Sequence, residues 1–140
     1  MLLINGEYGE EFIKAIKDAK ICIRGFIYHD SIYLSLNGSI VDDFISTLRQ
    51  AQNRGVIIKI LCQSQKQIEK LRRLNFNVKL VKGFKTMHSK AFCFDDYSLI
   101  VGSHNFTENA NKLNLEMSIL SYDKNDIMKY TNYFETIWQS

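Results

Sequence analysis

Residues 56–62 form a continuous apolar run that only Lys59 interrupts. A strand that is apolar along its whole length is typical of a sheet covered on both faces. The run follows a helical pattern that begins at Ser39, has Asp42 in its first turn and ends at Gly55. A helix that leads directly into a buried strand predicts a layered α/β structure, and this limits what the rest of the chain can form.

The same alternation of helix and strand patterns continues along the chain. Amphipathic helices are predicted at 10–20 and 39–55, from Ser64 onward and after Asp123, and strands at 21–28, 56–62, 77–81, 97–101 and 115–122. This order predicts an α/β fold in which a mixed β-sheet is sandwiched between helices. The 140 residues contain no proline, repeat or linker, so residues 1–140 are expected to form a single domain.

A set of polar residues with regular spacing lies in residues 87–116, which read MHSKAFCFDDYSLIVGSHNFTENANKLNLE. The pattern is H-x-K, four residues, an aspartate, six residues and then G-S-x-N, with a glutamate following. The positions that define it are His88, Lys90, Asp95, Gly102, Ser103, Asn105 and Glu116. We refer to these positions as the motif.

The residue types of the motif suit a phosphoryl group. Side chains at i and i+2 of a strand share a face, so His88 and Lys90 are expected to project together from a strand within residues 87–94. Lysine and asparagine donate to phosphate oxygens, and an imidazole can attack phosphorus or transfer a proton. An isolated histidine on an apolar strand is usually a core residue, but the fixed spacing of the six residue types in H-x-K, the aspartate and G-S-x-N argues against that interpretation.

The motif resembles the signature of the phospholipase D superfamily, and the chain looks most like the small bacterial nucleases that carry a single motif. The resemblance extends to residues 39–62, where a helix is followed by Arg54, Gly55 and Val56 and then by the apolar strand. It implies a phospholipase D-like fold. It also implies a phosphodiesterase, most simply a nuclease acting on DNA or RNA, that requires no metal or other cofactor.

The resemblance also implies a role for each motif residue. His88 would be the nucleophile that forms a phosphohistidine intermediate, or the acid that protonates the leaving oxygen. Lys90 and Asn105 would bind phosphate oxygens with help from Ser103, and Glu116 would hold the second nitrogen of the histidine and fix its tautomer.

Two further motif positions are expected to be structural. Asp95 would pair with backbone or a basic side chain in the turn, and Gly102 would allow a close approach of the backbone. Asp96 departs from the family pattern, in which glycine is common at this position. The variable position in G-S-x-N is His104, which is expected to point away from the site.

The charge distribution favours a polyanionic partner. Eight of the 18 Lys and Arg residues, but only one of the 15 acidic residues, fall between Lys66 and Lys90, although the net charge is only +3. The alternative is a solvated helix face followed by a lysine-rich loop. The functional interpretation is a nucleic-acid surface. Its predicted residues are Arg72, Arg73, Lys82 and Lys85.

The remaining histidines and the cysteines indicate no metal site or disulfide. His29 is expected in a loop or at a strand end, and no second His or Cys lies at ligand spacing from the motif. Cys22, Cys62 and Cys93 lie in apolar runs and are expected to be reduced core residues. With no secretory pattern and no apolar run of about 18 residues, the chain is expected to be cytoplasmic without stable membrane association.

The single motif predicts a homodimer, because the family mechanism requires two histidines, one to attack and one to protonate. A two-fold axis would bring the motifs of two chains together. Two alternatives to a nuclease remain: a phospholipase D-type phospholipid hydrolase, and a nucleic-acid-binding module that keeps the fold without catalysis.

Overall fold

A computed structural model describes residues 1–28, 40–104 and 115–140, with only the backbone of 40–43. The strands of these residues are β1 (Leu2–Ile4), β2 (Cys22–Ile27), β3 (Ile57–Cys62), β4 (Asn77–Leu80), β5 (Ala91–Phe94), β6 (Ser98–Gly102) and β7 (Met117–Ser121). The helices are α1 (Glu7–Asp18), α2 (Ile40–Asn53), α3 (Gln65–Arg73) and α4 (Lys124–Gln139).

The seven strands form one mixed sheet in the order β1-β7-β6-β5-β2-β3-β4. Strands β2, β3 and β4 run parallel to one another. The pairings of β1 with β7, β7 with β6, β6 with β5 and β5 with β2 are antiparallel. The mixed sheet predicted from the sequence is therefore confirmed.

Helices cover both faces of the sheet. Helices α1, α2 and α3 pack against one face and bury an apolar core that includes Phe12, Leu48 and Ile68. Helix α4 packs on the opposite face through Phe134 and Trp138. Because each amphipathic helix removes its apolar stripe from water against the sheet, the structure is the α/β sandwich expected from the alternating pattern.

The predicted helix boundaries have identifiable caps. The hydroxyl of Ser64 accepts a hydrogen bond from the backbone N of Gln67 at 3.4 Å, which starts α3. The carboxylate of Asp123 accepts one from the backbone N of Asp126 at 2.9 Å, which starts α4. Gly55, after α2, has a φ of 96°, a conformation that glycine adopts without steric cost.

One strand was missed and one local prediction was wrong. Strand β1 was not predicted, yet it pairs with β7 and buries Leu3, which is only 1% exposed. A three-residue strand carries almost no periodic signal, and its partner is more than 110 residues away in the sequence. In addition, β5 begins at Ala91, so His88 and Lys90 lie before the strand and are not aligned by strand alternation.

Ion pairs hold α4 against the sheet. The Glu135 carboxylate accepts from Arg24 Nε at 2.7 Å and from Lys59 Nζ at 3.1 Å. Burial raises the pKa of Glu135, but the hydrogen bonds from Arg24 and Lys59 outweigh it and leave that pKa below its ordinary value. Arg24 also donates to Asp96 at 2.7 Å, which gives the unusual Asp96 a structural task.

Candidate active site

Three strands, β5, β6 and β7, bring motif residues to one edge of the sheet. Because β5 is antiparallel to both β2 and β6, its start lies beside the ends of those two strands. The start of β7 lies at the same edge because β7 is antiparallel to β6. We call it the site edge: His88 and Lys90 precede β5, Gly102 ends β6 with Ser103 directly after it, and Glu116 precedes β7.

His88 and Lys90 are in direct contact at this edge. Lys90 Nζ lies 3.1 Å from Nδ1 of His88 and 3.0 Å from its backbone oxygen. The ring of Tyr28, which follows β2, packs edge-on against the imidazole with the ring centres 4.8 Å apart. The same ring lies 4.6 Å from Lys90 Nζ. Tyr28 therefore supports both side chains, and the ammonium gains a cation–π contact.

Burial and a nearby carboxylate have opposite effects on the pKa of Lys90. Partial burial lowers the pKa of Lys90, and the nearby charge of Glu116 offsets part of that effect. A partly desolvated ammonium interacts more strongly with an anion than an exposed one, because less water screens it. The position suits a group that binds a phosphate oxygen.

Ser103 and Glu116 form the second half of the site. The Ser103 hydroxyl hydrogen-bonds to the Glu116 carboxylate and accepts from the backbone N of Met117 at 3.0 Å. The backbone N of Glu116 donates to the side-chain oxygen of Asn5 at 3.0 Å. Among hydrogen bonds between described residues, none joins Glu116 to His88, so the orienting role inferred for this carboxylate stays a prediction.

Gly102 lies against β7 with no room for a side chain. A Cβ at this position would lie 2.4 Å from the backbone oxygen of Met117 and 2.4 Å from Cα of Ser118. Any larger residue would therefore push β6 away from β7 and displace Ser103 from Glu116.

Asp95 lies at the opposite edge of the sheet from the other motif residues. Its carboxylate accepts three backbone hydrogen bonds, from Lys20 at 2.8 Å, Ile21 at 2.8 Å and Cys22 at 2.9 Å. These contacts join the β5–β6 turn to the start of β2. Asp95 and Asp96 both have positive φ, 57° and 51°, a conformation that aspartate tolerates better than most residues.

His104 is packed inside the protein and is only 2% exposed. Its ring stacks on Tyr8 with centres 4.3 Å apart. Nε2 lies 2.9 Å from the backbone oxygen of Asn5, and Nδ1 lies 2.7 Å from the Ser118 hydroxyl. Burial lowers the pKa of His104, opposed by the hydrogen bond to Asn5 and the charge of Glu116. A neutral ring that donates from Nε2 and accepts at Nδ1 satisfies both contacts.

Asn105 and His29 lie outside the described residues, as does the predicted connection at 107–112. The phosphate-binding role of Asn105 therefore stays a prediction.

The structure separates the predicted nucleic-acid residues into two groups. Lys82 and Lys85 follow β4, which ends at the site edge because it runs parallel to β3 and β2. Arg72 and Arg73 end α3, which runs back from the site edge over roughly 13 Å to the start of β4. Arg72 also donates to the backbone oxygen of Val78 at 3.2 Å. The lysines lie near the candidate site and the arginines do not.

Three supporting residues were not found by sequence reasoning. Tyr28 and Asn5 contact motif residues only because distant strands meet at one edge, and neither has a local sequence signal. Gln63 fixes the loop before His88, since its amide donates to the backbone oxygen of Phe84 at 2.8 Å and accepts from the backbone N of Met87 at 2.6 Å. A polar residue directly after a buried strand was the only hint of its role.

Neither a metal cluster nor a membrane span is found in the described part of the chain. No group of three or more His, Cys, Asp or Glu side chains there is arranged to hold a metal ion. Among the helices of residues 1–28, 40–104 and 115–140, none is long and apolar enough to cross a membrane.

Sequence comparisons match most of the chain. The family model described as "Cardiolipin synthase, PLD-like domain" matches residues 12–138. Cardiolipin synthase B of Escherichia coli O6:H1 is 34% identical over 93 residues, which cover 59% of this chain and 22% of that protein. The chain thus spans less than a quarter of the length of this relative.

Structural comparisons match the whole fold. Nuc from Salmonella typhimurium, a phospholipase D family member, has a TM-score of 0.79 at 20% identity, covering 99% of this chain and 94% of that one. NucT from Helicobacter pylori has a TM-score of 0.81 at 21% identity, covering 100% and 95%. At this identity the likeness establishes the fold.

Proposed function

This chain belongs to the phospholipase D superfamily, and from that premise we propose that it is a metal-independent nuclease that works through a phosphohistidine on His88. The observation that carries the proposal is the meeting of two pairs at the site edge, Lys90 with His88 and Ser103 with Glu116. An imidazole beside a partly buried ammonium provides a nucleophile and a group that stabilises charge on the phosphoryl oxygens.

The proposed reaction has two displacements at phosphorus. A lone pair of His88 attacks phosphorus, the bond from phosphorus to the leaving oxygen breaks, and that oxygen takes a proton from a second imidazole. Water then gives a proton to the second imidazole and attacks phosphorus, and the phosphorus–nitrogen bond breaks. Lys90, with Asn105 and Ser103, would hold the phosphate oxygens through both steps, so that no metal is required.

The two protonation states that the reaction requires of its histidines favour a shared site. An ammonium only donates hydrogen bonds, so Nδ1 of His88 accepts from Lys90, and the proton of a neutral ring lies on Nε2. Attack through Nε2 requires a neutral ring with its proton on Nδ1, and protonation of a leaving oxygen requires an imidazolium, which carries protons on both nitrogens. Both states need an acceptor beside Nδ1, such as a carboxylate. Within one chain, the Glu116 carboxylate accepts a hydrogen bond from Ser103. Two copies of His88 in different states would fill both roles.

An exposed apolar surface beside the site supports pairing of two chains. Strands β6, β7 and β1 have apolar side chains that are 42–52% exposed on the sheet face against which α4 packs. These are Val101, Met117, Ile119, Leu2 and Ile4. Met117 directly follows Glu116, so the surface reaches the site edge. Asp126 and Lys129 lie beside Ile119 in the adjoining groove, and their opposite charges can pair across a two-fold axis.

We favour nucleic acid over lipid as the substrate because exposed lysines of the loop before His88 lie at the site edge. A specific observation favours the lipid alternative, since the family model and Cardiolipin synthase B carry lipid-enzyme names. A nucleic-acid-binding module without catalysis is the third candidate, but it would not require a histidine held by a lysine.

The test is a substrate panel of single-stranded DNA, double-stranded DNA, RNA and phosphatidylcholine vesicles, with the His88→Ala protein prepared in parallel as the control. We expect wild-type protein to cleave nucleic acid and the variant to be inactive. Cleavage of phosphatidylcholine alone would establish the lipid alternative. Binding of nucleic acid without any cleavage would establish the binding module.

A further inference from the structure

We propose that Phe84 stacks on an unpaired base of the substrate while Lys82 and Lys85 bind its phosphates, so that the site takes single-stranded nucleic acid. This inference rests on the proposed function and adds the strand type. It is carried by residues 82–87, which we call the basic loop, and by the way the fold holds that loop beside His88.

The basic loop is fixed at both ends and in the middle. Val81 and Met87 are 3% and 6% exposed and belong to the core under α4. The backbone N of Val81 donates to the oxygen of Cys62 at 2.9 Å. The Gln63 amide bonds to the backbone of both Phe84 and Met87. The backbone at Phe84 is therefore held in place before any ligand binds, which reduces the entropy lost on binding.

Phe84 is displayed by this fixed loop instead of being buried. Its side chain is 49% exposed, although the ring would be stabilised by leaving water. Lys82 and Lys85 on either side are also exposed. The sequence has no acidic residue from position 70 to 94. An exposed aromatic ring between cations is the combination with which proteins bind single-stranded nucleic acid, since every base has a face for stacking and every nucleotide a phosphate.

The distance to His88 suits this role. Phe84 and His88 are four positions apart, so their Cα atoms lie within about 14 Å of each other even if the chain between them is fully extended. A base on Phe84 and the phosphate attacked by His88 would then belong to one short strand. Paired bases in a duplex are stacked on one another and offer no free face, so Phe84 would discriminate between single and double strands.

An anionic lipid surface is the competing ligand class for a loop of this composition. Peripheral membrane binding depends on a broad apolar face buried at the interface. The basic loop displays a single ring. A single ring is enough to stack on one base, so the observations favour nucleic acid. Binding to a lipid surface is one of the outcomes that the test distinguishes.

The test measures binding in the His88→Ala background, which prevents cleavage. Phe84→Leu removes the aromatic face but keeps an apolar side chain, and Phe84→Trp keeps the aromatic face. Tyr97→Leu is the matched control, because Tyr97 is 70% exposed and lies in the β5–β6 turn at the opposite edge of the sheet. The probes are a thymidine oligonucleotide, an abasic oligonucleotide of equal length, a DNA duplex and phosphatidylglycerol vesicles.

We expect Phe84→Leu to weaken binding of the thymidine oligonucleotide by about tenfold or more without weakening binding of the abasic strand or the duplex. Phe84→Trp and Tyr97→Leu should keep the parental affinity, and fluorescence of the new tryptophan should be quenched by the thymidine oligonucleotide and not by the abasic strand. Equal weakening with the abasic strand, or unchanged affinity of Phe84→Leu, would overturn the inference while leaving cleavage by His88 intact. Binding to vesicles alone would overturn both proposals.

Discussion

Lys90 Nζ lies 3.1 Å from Nδ1 of His88, so the two motif residues are joined by a direct contact and not by a shared strand face. The contact makes Nδ1 of a neutral His88 ring an acceptor and leaves the ring proton on Nε2. Tyr28 packs on both groups from the end of β2. The chemistry of the site therefore depends on how two neighbouring strands meet at the site edge.

Cofactor independence is the first prediction. Lys90 and the imidazolium of a second His88 would supply the positive charge that metal ions supply in two-metal nucleases. Activity on single-stranded DNA should therefore be unchanged after dialysis against excess EDTA. Loss of activity on chelation and its return with Mg²⁺ or Zn²⁺ would overturn the proposed mechanism.

The two groups of basic residues should differ in their effect on salt dependence. Replacing Lys82 and Lys85 by Gln should weaken DNA binding and reduce the slope of log K against log[salt] by roughly one unit per lost phosphate contact. Replacing Arg73 by Gln, at the far end of α3, is the control and should change the slope less. The reverse order would place the DNA path along α3.

His104 should make stability depend on pH. Because burial lowers the pKa of His104, the folded protein binds a proton there less readily than the unfolded chain does. The stability from this group is full above the ordinary histidine pKa, near 6.5, and is lost as the pH falls below it. We expect urea unfolding between pH 7.5 and 5.5 to show that the free energy of unfolding falls more steeply for wild type than for His104→Asn. The difference should be up to about 1.4 kcal/mol per pH unit. Parallel curves for the two proteins would contradict this assignment.

Asp95 should matter for stability. Asp95→Ala removes the acceptor of three backbone N–H groups and places a residue without a polar side chain at a positive φ. We expect a loss of about 3 kcal/mol in the free energy of unfolding, with a smaller loss for Asp95→Asn, which keeps one acceptor oxygen. Chemical denaturation measures both. A loss below about 0.5 kcal/mol for the alanine variant would mean that these hydrogen bonds contribute little.

The sequence was sufficient for the features that depend on local patterns. The caps at Ser64 and Asp123, the strand that ends at Cys62 and the mixed sheet between helices all follow from periodicity and turn residues. Features that depend on which strands become neighbours were not predictable. Strand β1, the packing of Tyr28 on His88 and the separation of Arg72 and Arg73 from the site edge all result from strand order, for which a single sequence has no local signal.

The most direct test of the shared His88 site uses three purified species: wild type, His88→Ala, and a mixed dimer isolated with two different tags. If the site is shared, His88→Ala is folded but inactive, and the mixed dimer has far less than half of the wild-type activity because the site then lacks one imidazole. A mixed dimer with half the wild-type rate, an active His88→Ala protein, or a fully active monomer by light scattering at the assay concentration would contradict a shared site.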